Sequence, residues 1–289
     1  EFLRVTAAAG AGITGGDLTR FQSCYDDRKY SDFVTGVYDA ATQAGITGTP
    51  TYQLDGQLVT LYSAESLQAD IDSVLAGGAP AANPACSPSD HPDAPPTTLP
   101  PNANAKATGI VANPEAPADH VLAVYVDFQC PYCAQAEELS GDVVAEAVAE
   151  NKVRVEFRTR TFLDQVNQSN TDGTADSSTR AANAAACADL AGVYLPYHKY
   201  IFDNQPTEGV GYTDGFLRDV APAAVGLSGD ALATFQQCYD SRQFAEFVSY
   251  VDTAAQYACV TGTPTYKLDG EDVSWSDPAS LKKSLDAVS

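Results

Sequence analysis

Asp127-Phe128-Gln129-Cys130-Pro131-Tyr132-Cys133 is the stretch on which the fold turns. Ahead of it, His120 to Phe128 is a mostly apolar, β-branched run that reads as a buried strand. Behind it, Ala134 to Asn151 is rich in Ala, Glu and Leu and reads as a helix. Two cysteines separated by two residues therefore stand at a strand-to-helix junction. In the first turn of a helix, unsatisfied backbone N–H groups and the macrodipole favour a thiolate at Cys130. A thiolate there is both an attacking nucleophile and a good leaving group. Cys133, one turn further in, is positioned to resolve a mixed disulfide. Pro131 brings the fixed φ that a first-turn position wants and costs no helix hydrogen bond.

Beyond this junction, Lys152 to Phe162 sets Val153, Val155 and Phe157 on one face against charges on the other, the pattern of a strand. A long Ala-rich region from Thr179 to about Gln256 has helical spacing, with breaks expected at Pro196, Pro206 and Pro222. Thr265 to Leu268, the turn Asp269-Gly270 and Val273 to Trp275 read as a hairpin. Asp277 to Val288 closes the chain as a helix with Leu281 and Leu285 facing in. The order is strand, helix, strand, helical block, strand, strand, helix. A right-handed crossover makes the first two strands a parallel pair. The fold class is α/β, a central mixed sheet flanked by helices and interrupted by a helical insertion.

At the level of motifs, Cys130-Pro131-Tyr132-Cys133 at its junction resembles the active site of DsbA-like thiol–disulfide oxidoreductases. Gly262-Thr263-Pro264-Thr265 before a hairpin resembles the cis-proline loop of that family. The resemblance covers nearly all of residues 105–289, helical insertion included, and implies a thioredoxin-like fold. It implies catalysis by Cys130 and Cys133. It also implies substrate contacts from Pro131, Tyr132, Thr263 and Pro264, the residue before the cis-proline offering its backbone to an extended substrate. Tyr132 brings no positive charge, so an intermediate redox potential is expected. One departure stands out. Family members commonly bury an acid six residues before the first cysteine, where this chain has Val124. Asp127, acting through a water, is the candidate replacement.

Self-similarity sets the domain organisation. Residues from Phe2 onward match those from Phe216 onward at a constant offset of 214, with about half the positions identical over about 55 residues. Phe21 to Asp26 answers Phe235 to Asp240, and Thr47 to Tyr52 answers Thr261 to Tyr266. The second copy is preceded by the Cys-Pro-Tyr-Cys segment and the first is not. Residues 1–77 therefore read as the C-terminal part of an upstream DsbA-like domain. Residues 78–104 read as a Pro/Ala-rich linker, and residues 105–289 as a complete DsbA-like domain. A chain that opens at Glu1 and contains no methionine is expected to be a processed, trimmed or excised product.

Seven cysteines, five of them scattered, suggest structural disulfides beside a redox centre and hence an oxidising compartment. The resemblance implies a Cys187–Cys238 disulfide inside the helical insertion, a link that contributes roughly 3–4 kcal/mol for a loop of about fifty residues. The counterpart of Cys187 for Cys24 would lie in the upstream half-domain. Cys86–Cys259 is then the residual pair, with Cys24–Cys86 as its competitor. Half of a zinc site is the alternative reading of Cys130 and Cys133. No second Cys-x-x-Cys exists, however, and His91, His120 and His198 lack ligand spacing, so no metal and no cofactor is expected. His198 reads as a packing or hydrogen-bonding residue of the helical block.

The charge of −22, from 38 acidic and 16 basic residues, disfavours nucleic acid and anionic lipid as partners. No apolar run is long enough to span a bilayer. The expected protein is an extracytoplasmic oxidoreductase of a bacterial envelope or a secreted one, with any membrane anchor carried by a part outside this chain. Its partners would be proteins with thiols or disulfides and a redox partner that resets the site. A non-catalytic thioredoxin-fold module of a cell-envelope assembly is the competing expectation, and a dimeric isomerase a third.

Overall fold

Val121–Val126, strand β2, is buried along almost its whole length, which explains why its sequence is continuously apolar rather than alternating. Leu122, Val124 and Val126 belong to the main core, whereas Ala123 and Tyr125 join a smaller cluster with Ala255 and Val260 on the other face. The computed structural model describes residues 2–43, 52–55, 57–59, 64–78, 94–164 and 170–288. The chain divides into two units, Glu1–Thr49 and Pro50–Ser289.

In the second unit, five strands form one sheet. They are β1 (Ile110–Val111), β2, β3 (Arg154–Thr159), β4 (Thr265–Leu268) and β5 (Glu271–Val273), in the spatial order β1-β3-β2-β4-β5. β2 and β3 are parallel, with Val124 beside Phe157, and are joined through helix α1 (Pro131–Glu150). β4 runs antiparallel to β2, which puts Tyr266 directly opposite Val124. β1 is an edge strand of two residues, too short to announce itself in the sequence. Between β3 and β4 lies the helical insertion: α2 (Ser177–Leu190), α3 (Tyr194–Asp203), α4 (Gly229–Asp240) and α5 (Ala245–Tyr257). Helix α6 (Pro278–Asp286) buries Leu281 and Leu285 against α1.

Alanine explains the insertion. Ala181, Ala182, Ala184, Ala185, Ala186 and Ala188 of α2 are all buried, and their small side chains let α3, α4 and α5 pack closely around it. A Cys187–Cys238 disulfide, with Cα atoms 5.8 Å apart, ties α2 to α4. Pro196 does not break a helix. It stands in the first turn of α3, where a backbone N–H has no intrahelical partner to lose. Pro222 likewise lies in Ala221–Ala224, which continues the π-helical segment Phe216–Val220.

The second hairpin strand is Glu271–Val273, two residues ahead of the expected Val273–Trp275. The cause is the two-residue turn. Asp269 and Gly270 both take positive φ, 53° and 91°, so Glu271 pairs at once with Leu268. Asp269 also accepts hydrogen bonds from the Val121 N–H at 2.8 Å and the His120 ring at 2.7 Å, fastening the turn to the start of β2. The end of the expected linker is packed rather than free. Asn102 bonds Asp189 through its N–H and its side chain, and Asn104 donates to Glu156 at 2.7 Å.

The repeated sequence carries repeated local structure. In the first unit, Gly15–Asp26 and Ser31–Gln43 are helices at the positions of α4 and α5. Arg4 grips Asp26 with two hydrogen bonds of 2.7 and 2.8 Å, as Arg218 grips Asp240. Arg28 and Arg242 share a left-handed backbone, φ 48° and 49°. Burial differs sharply. Phe247 and Val248 are each 2 % exposed, whereas their counterparts Phe33 and Val34 are 70 % and 63 % exposed. The first-copy loop at Thr47–Thr51, with Pro50, and the linker's Cys86 lie outside the described residues.

Candidate active site

β2 delivers Asp127-Phe128-Gln129 to the head of α1, and Cys130 is the residue that caps the helix. Its backbone is extended (φ −75°, ψ 117°), Pro131 follows at the first helical position, and its carbonyl accepts from the Cys133 N–H at 2.9 Å. Pro131 and Tyr132 are exposed, Cys130 is 6 % exposed, and Cys133 is fully buried. Opposite them stands the loop before β4, whose Thr263–Pro264 peptide bond is cis. The Cys130 thiol donates to the Thr263 carbonyl at 3.3 Å. Cys130, Cys133, Pro131, Tyr132, Thr263 and Pro264 are thus brought to one place, while the Cys187–Cys238 bridge lies within the insertion. Cys259 is disulfide-bonded. Cys24 and the Cys130–Cys133 pair are free thiols.

The two sulfurs differ strongly in acidity. Cys130 is drawn down to about 6, chiefly by hydrogen bonding from the Cys133 side chain, against the opposing effect of burial. Thr263 and the backbone N–H groups of Cys133 and Tyr132 help. A carbonyl cannot donate to a thiolate, so the 3.3 Å contact belongs to the protonated form. The Thr263 hydroxyl, buried and without a partner among the described residues, is a donor that can serve the ionised sulfur. Cys133 is pushed well above the ordinary thiol value, first by burial and then by hydrogen bonding and charge from Cys130. One sulfur is poised as nucleophile and leaving group; the other holds its proton.

Residues with no local signature hold this arrangement. Gln205 donates to the carbonyls of Phe128 (2.8 Å) and Cys130 (3.0 Å), and the Tyr212 hydroxyl sits between the carbonyls of Phe128 and Ile201. Arg160 pairs with Asp252 at 2.7 Å and also donates to the Val260 carbonyl, steadying the segment that leads to Pro264. Asp127 is completely buried. Its carboxylate accepts from the Ser178 hydroxyl (2.6 Å), the Gln129 N–H (3.0 Å) and the Leu163 N–H (3.2 Å). Burial nevertheless raises it to about 7. Val124, where the family commonly has an acid, is an apolar residue of the main core.

A family model described as thioredoxin matches residues 107–287, and the chain belongs to that family. No curated protein matches it. Among solved structures, MdbA from Actinomyces oris, a thiol-disulfide oxidoreductase, is 23% identical with a TM-score of 0.52, over 70% of this chain and 99% of that one. That likeness bears on the fold. The reduced form of the disulfide bond oxidoreductase DsbG from Mycobacterium tuberculosis is 26% identical with a TM-score of 0.49, over 60% of this chain and 83% of that one. Reduced DsbA from the same organism is 25% identical, also with a TM-score of 0.49, over 60% and 88%.

Proposed function

We propose that this chain is a thiol–disulfide oxidoreductase that exchanges disulfides with protein substrates through Cys130 and Cys133. The observation that carries the reading is the pairing of a low-pKa sulfur at a helix cap with a cis-proline loop 3.3 Å away. The Cys130 thiolate attacks one sulfur of a substrate disulfide, expelling the other as a thiolate and forming a mixed disulfide. Cys133 then attacks Cys130 Sγ, releasing the second substrate sulfur; the reverse sequence oxidises a substrate dithiol. The Thr263 backbone and the exposed faces of Pro131 and Tyr132 receive the extended substrate. A separate redox partner resets the pair.

An extracytoplasmic setting is supported by the Cys187–Cys238 disulfide and by Cys259, which is also oxidised. No described helix is long and apolar enough to cross a membrane. Residues 1–77 are read as the C-terminal part of a second DsbA-like unit. The matching Arg4–Asp26 and Arg218–Asp240 clasps support this, as does the exposed face of Phe33 and Val34.

The test is insulin reduction and oxidative refolding of a reduced protein, with Cys130→Ala beside the parent. Loss of both activities in the variant is expected; equal activity would overturn the reading and favour a non-catalytic assembly module.

A further inference from the structure

In the second unit, α4 and α5 bury a shared face against α2. Phe235, Cys238, Phe247, Val248 and Val251 supply its apolar part, and each is buried. The first unit repeats that face residue for residue, as Phe21, Cys24, Phe33, Val34 and Val37. There, Phe33, Val34 and Val37 are exposed, and Cys24 is a half-buried free thiol. About half the positions differ between the two copies, so keeping all five at a solvent-facing surface calls for a cause. Apolar side chains held in water cost free energy that burial recovers.

The polar anchors of α2 are kept as well. Asp176, the residue that precedes α2, accepts from Arg242, and Arg180 donates to the Tyr239 hydroxyl at 3.4 Å. Asn183 accepts from the Phe244 N–H at 3.0 Å. Arg28, Tyr25 and the backbone N–H of Tyr30 occupy the matching places in the first copy. Asp176, Arg180, Asn183 and the disulfide-bonded Cys187 stand at i, i+4, i+7 and i+11, one stripe of a helix. The alanines among them let neighbouring helices approach closely.

We propose that the first-unit face is a docking site for an Ala-rich helix of this pattern, carried by the N-terminal half of another DsbA-like unit. The helix sets its alanine stripe against Phe33, Val34 and Val37, its Asp on Arg28, its Arg on Tyr25 and its cysteine beside Cys24. The α2 of a second copy does not serve, because it is sealed under its own α4 and α5. One position also separates the occupant from this chain's own half. Asp252 holds the buried Arg160 at 2.7 Å, and its counterpart in the first copy is Tyr38. A half-unit with arginine at that place would bury a charge without its carboxylate, so the occupant carries an uncharged residue there.

This inference rests on the reading of residues 1–77 as part of a DsbA-like unit and is independent of the chemistry at Cys130. The full chain, with Cys130→Ala and Cys133→Ala so that Cys24 is the one free thiol among the described residues, is mixed with a synthetic peptide of residues 174–191. The peptide cysteine is activated as a chromogenic aryl disulfide. The Cys24 thiolate attacks the peptide sulfur and expels the aryl thiolate, whose absorbance gives the rate. Docking raises the effective concentration, so capture should be about tenfold or more faster than with a scrambled peptide of the same composition. Phe33→Asp should remove that advantage. Arg28→Asp should weaken it, and Asp176→Arg in the peptide should restore it. Equal rates for the two peptides, or a dimer of the chain that Phe33→Asp dissolves, would overturn the docking site. Hydrogen exchange keeps the two readings apart. Protection of helices Gly15–Asp26 and Ser31–Gln43 upholds the repeat whatever the peptide does, and no protection with or without peptide would overturn both.

Discussion

The Cys130 sulfur and the Thr263 carbonyl oxygen stand 3.3 Å apart although 133 residues separate them in the chain. The contact is made by two neighbouring strands. β2 ends at the cysteine motif and β4 begins just after the cis-proline, and their antiparallel pairing brings the two ends to the same edge of the sheet. The cysteine motif and the cis-proline loop are thereby held together by two central, largely buried strands of the sheet.

Cys130 is expected to titrate near pH 6. Absorbance of the reduced protein in the thiolate band should show this transition, with a second only at strongly alkaline pH where Cys133 ionises. The depressed value favours the reduced state as pH rises above about 6, so the disulfide becomes more oxidising, relative to an ordinary dithiol, between there and the ordinary thiol value. A single transition near the ordinary thiol value would contradict this.

Tyr132 is 55 % exposed and carries no charge toward Cys130. Tyr132→His should lower the Cys130 value further and raise the reduction potential by about 30 mV for each tenfold gain in thiolate stability. The effect should be larger at pH 6 than at pH 8, because the imidazole helps only when protonated. Equilibration with glutathione buffers measures it.

Asp127 keeps its proton to about pH 7 when folded but only to the usual carboxylate value when unfolded. Between these values the folded state binds more protons, so this residue makes stability fall as pH rises through the window. The contribution is at most roughly 4 kcal/mol. Urea unfolding of Asp127→Asn should show that decline removed, even if the variant is less stable throughout because the amide cannot replace both acceptor oxygens. Parallel pH profiles for parent and variant would contradict the buried-carboxylate assignment.

Phe33 and Phe247 are repeat counterparts with opposite surroundings, 70 % and 2 % exposed. Phe247→Asp should abolish folding of the second unit, since it leaves an unpaired charge in a packed core. Phe33→Asp should leave thermal stability within about 0.5 kcal/mol of the parent. Comparable losses in both would mean that the first-unit face is covered.

Local chemistry made much of the fold legible. The apolar run of β2, the cap and Pro131 of α1, and the Asp269-Gly270 turn each declare themselves within a few residues. Local signals mislead where backbone context overrides residue type. Pro196 suggests a break but occupies a first turn, and the hairpin strand begins sooner than its residues suggest because its turn needs only two residues. The site was legible only in its motifs. Gln205, Tyr212, Ser178 and Arg160 act on the motifs from the insertion or from the far side of the sheet. Nothing in their local sequence marks a residue that reaches across the fold to a carbonyl or a buried carboxylate.

The most direct test of the redox centre is an equilibrium titration in glutathione buffers, with the state of each cysteine read by alkylation and mass spectrometry. One reversible two-electron couple confined to Cys130 and Cys133, absent from Cys130→Ala, is the expected result. A pair that stays in a single oxidation state across the physiological range would contradict it.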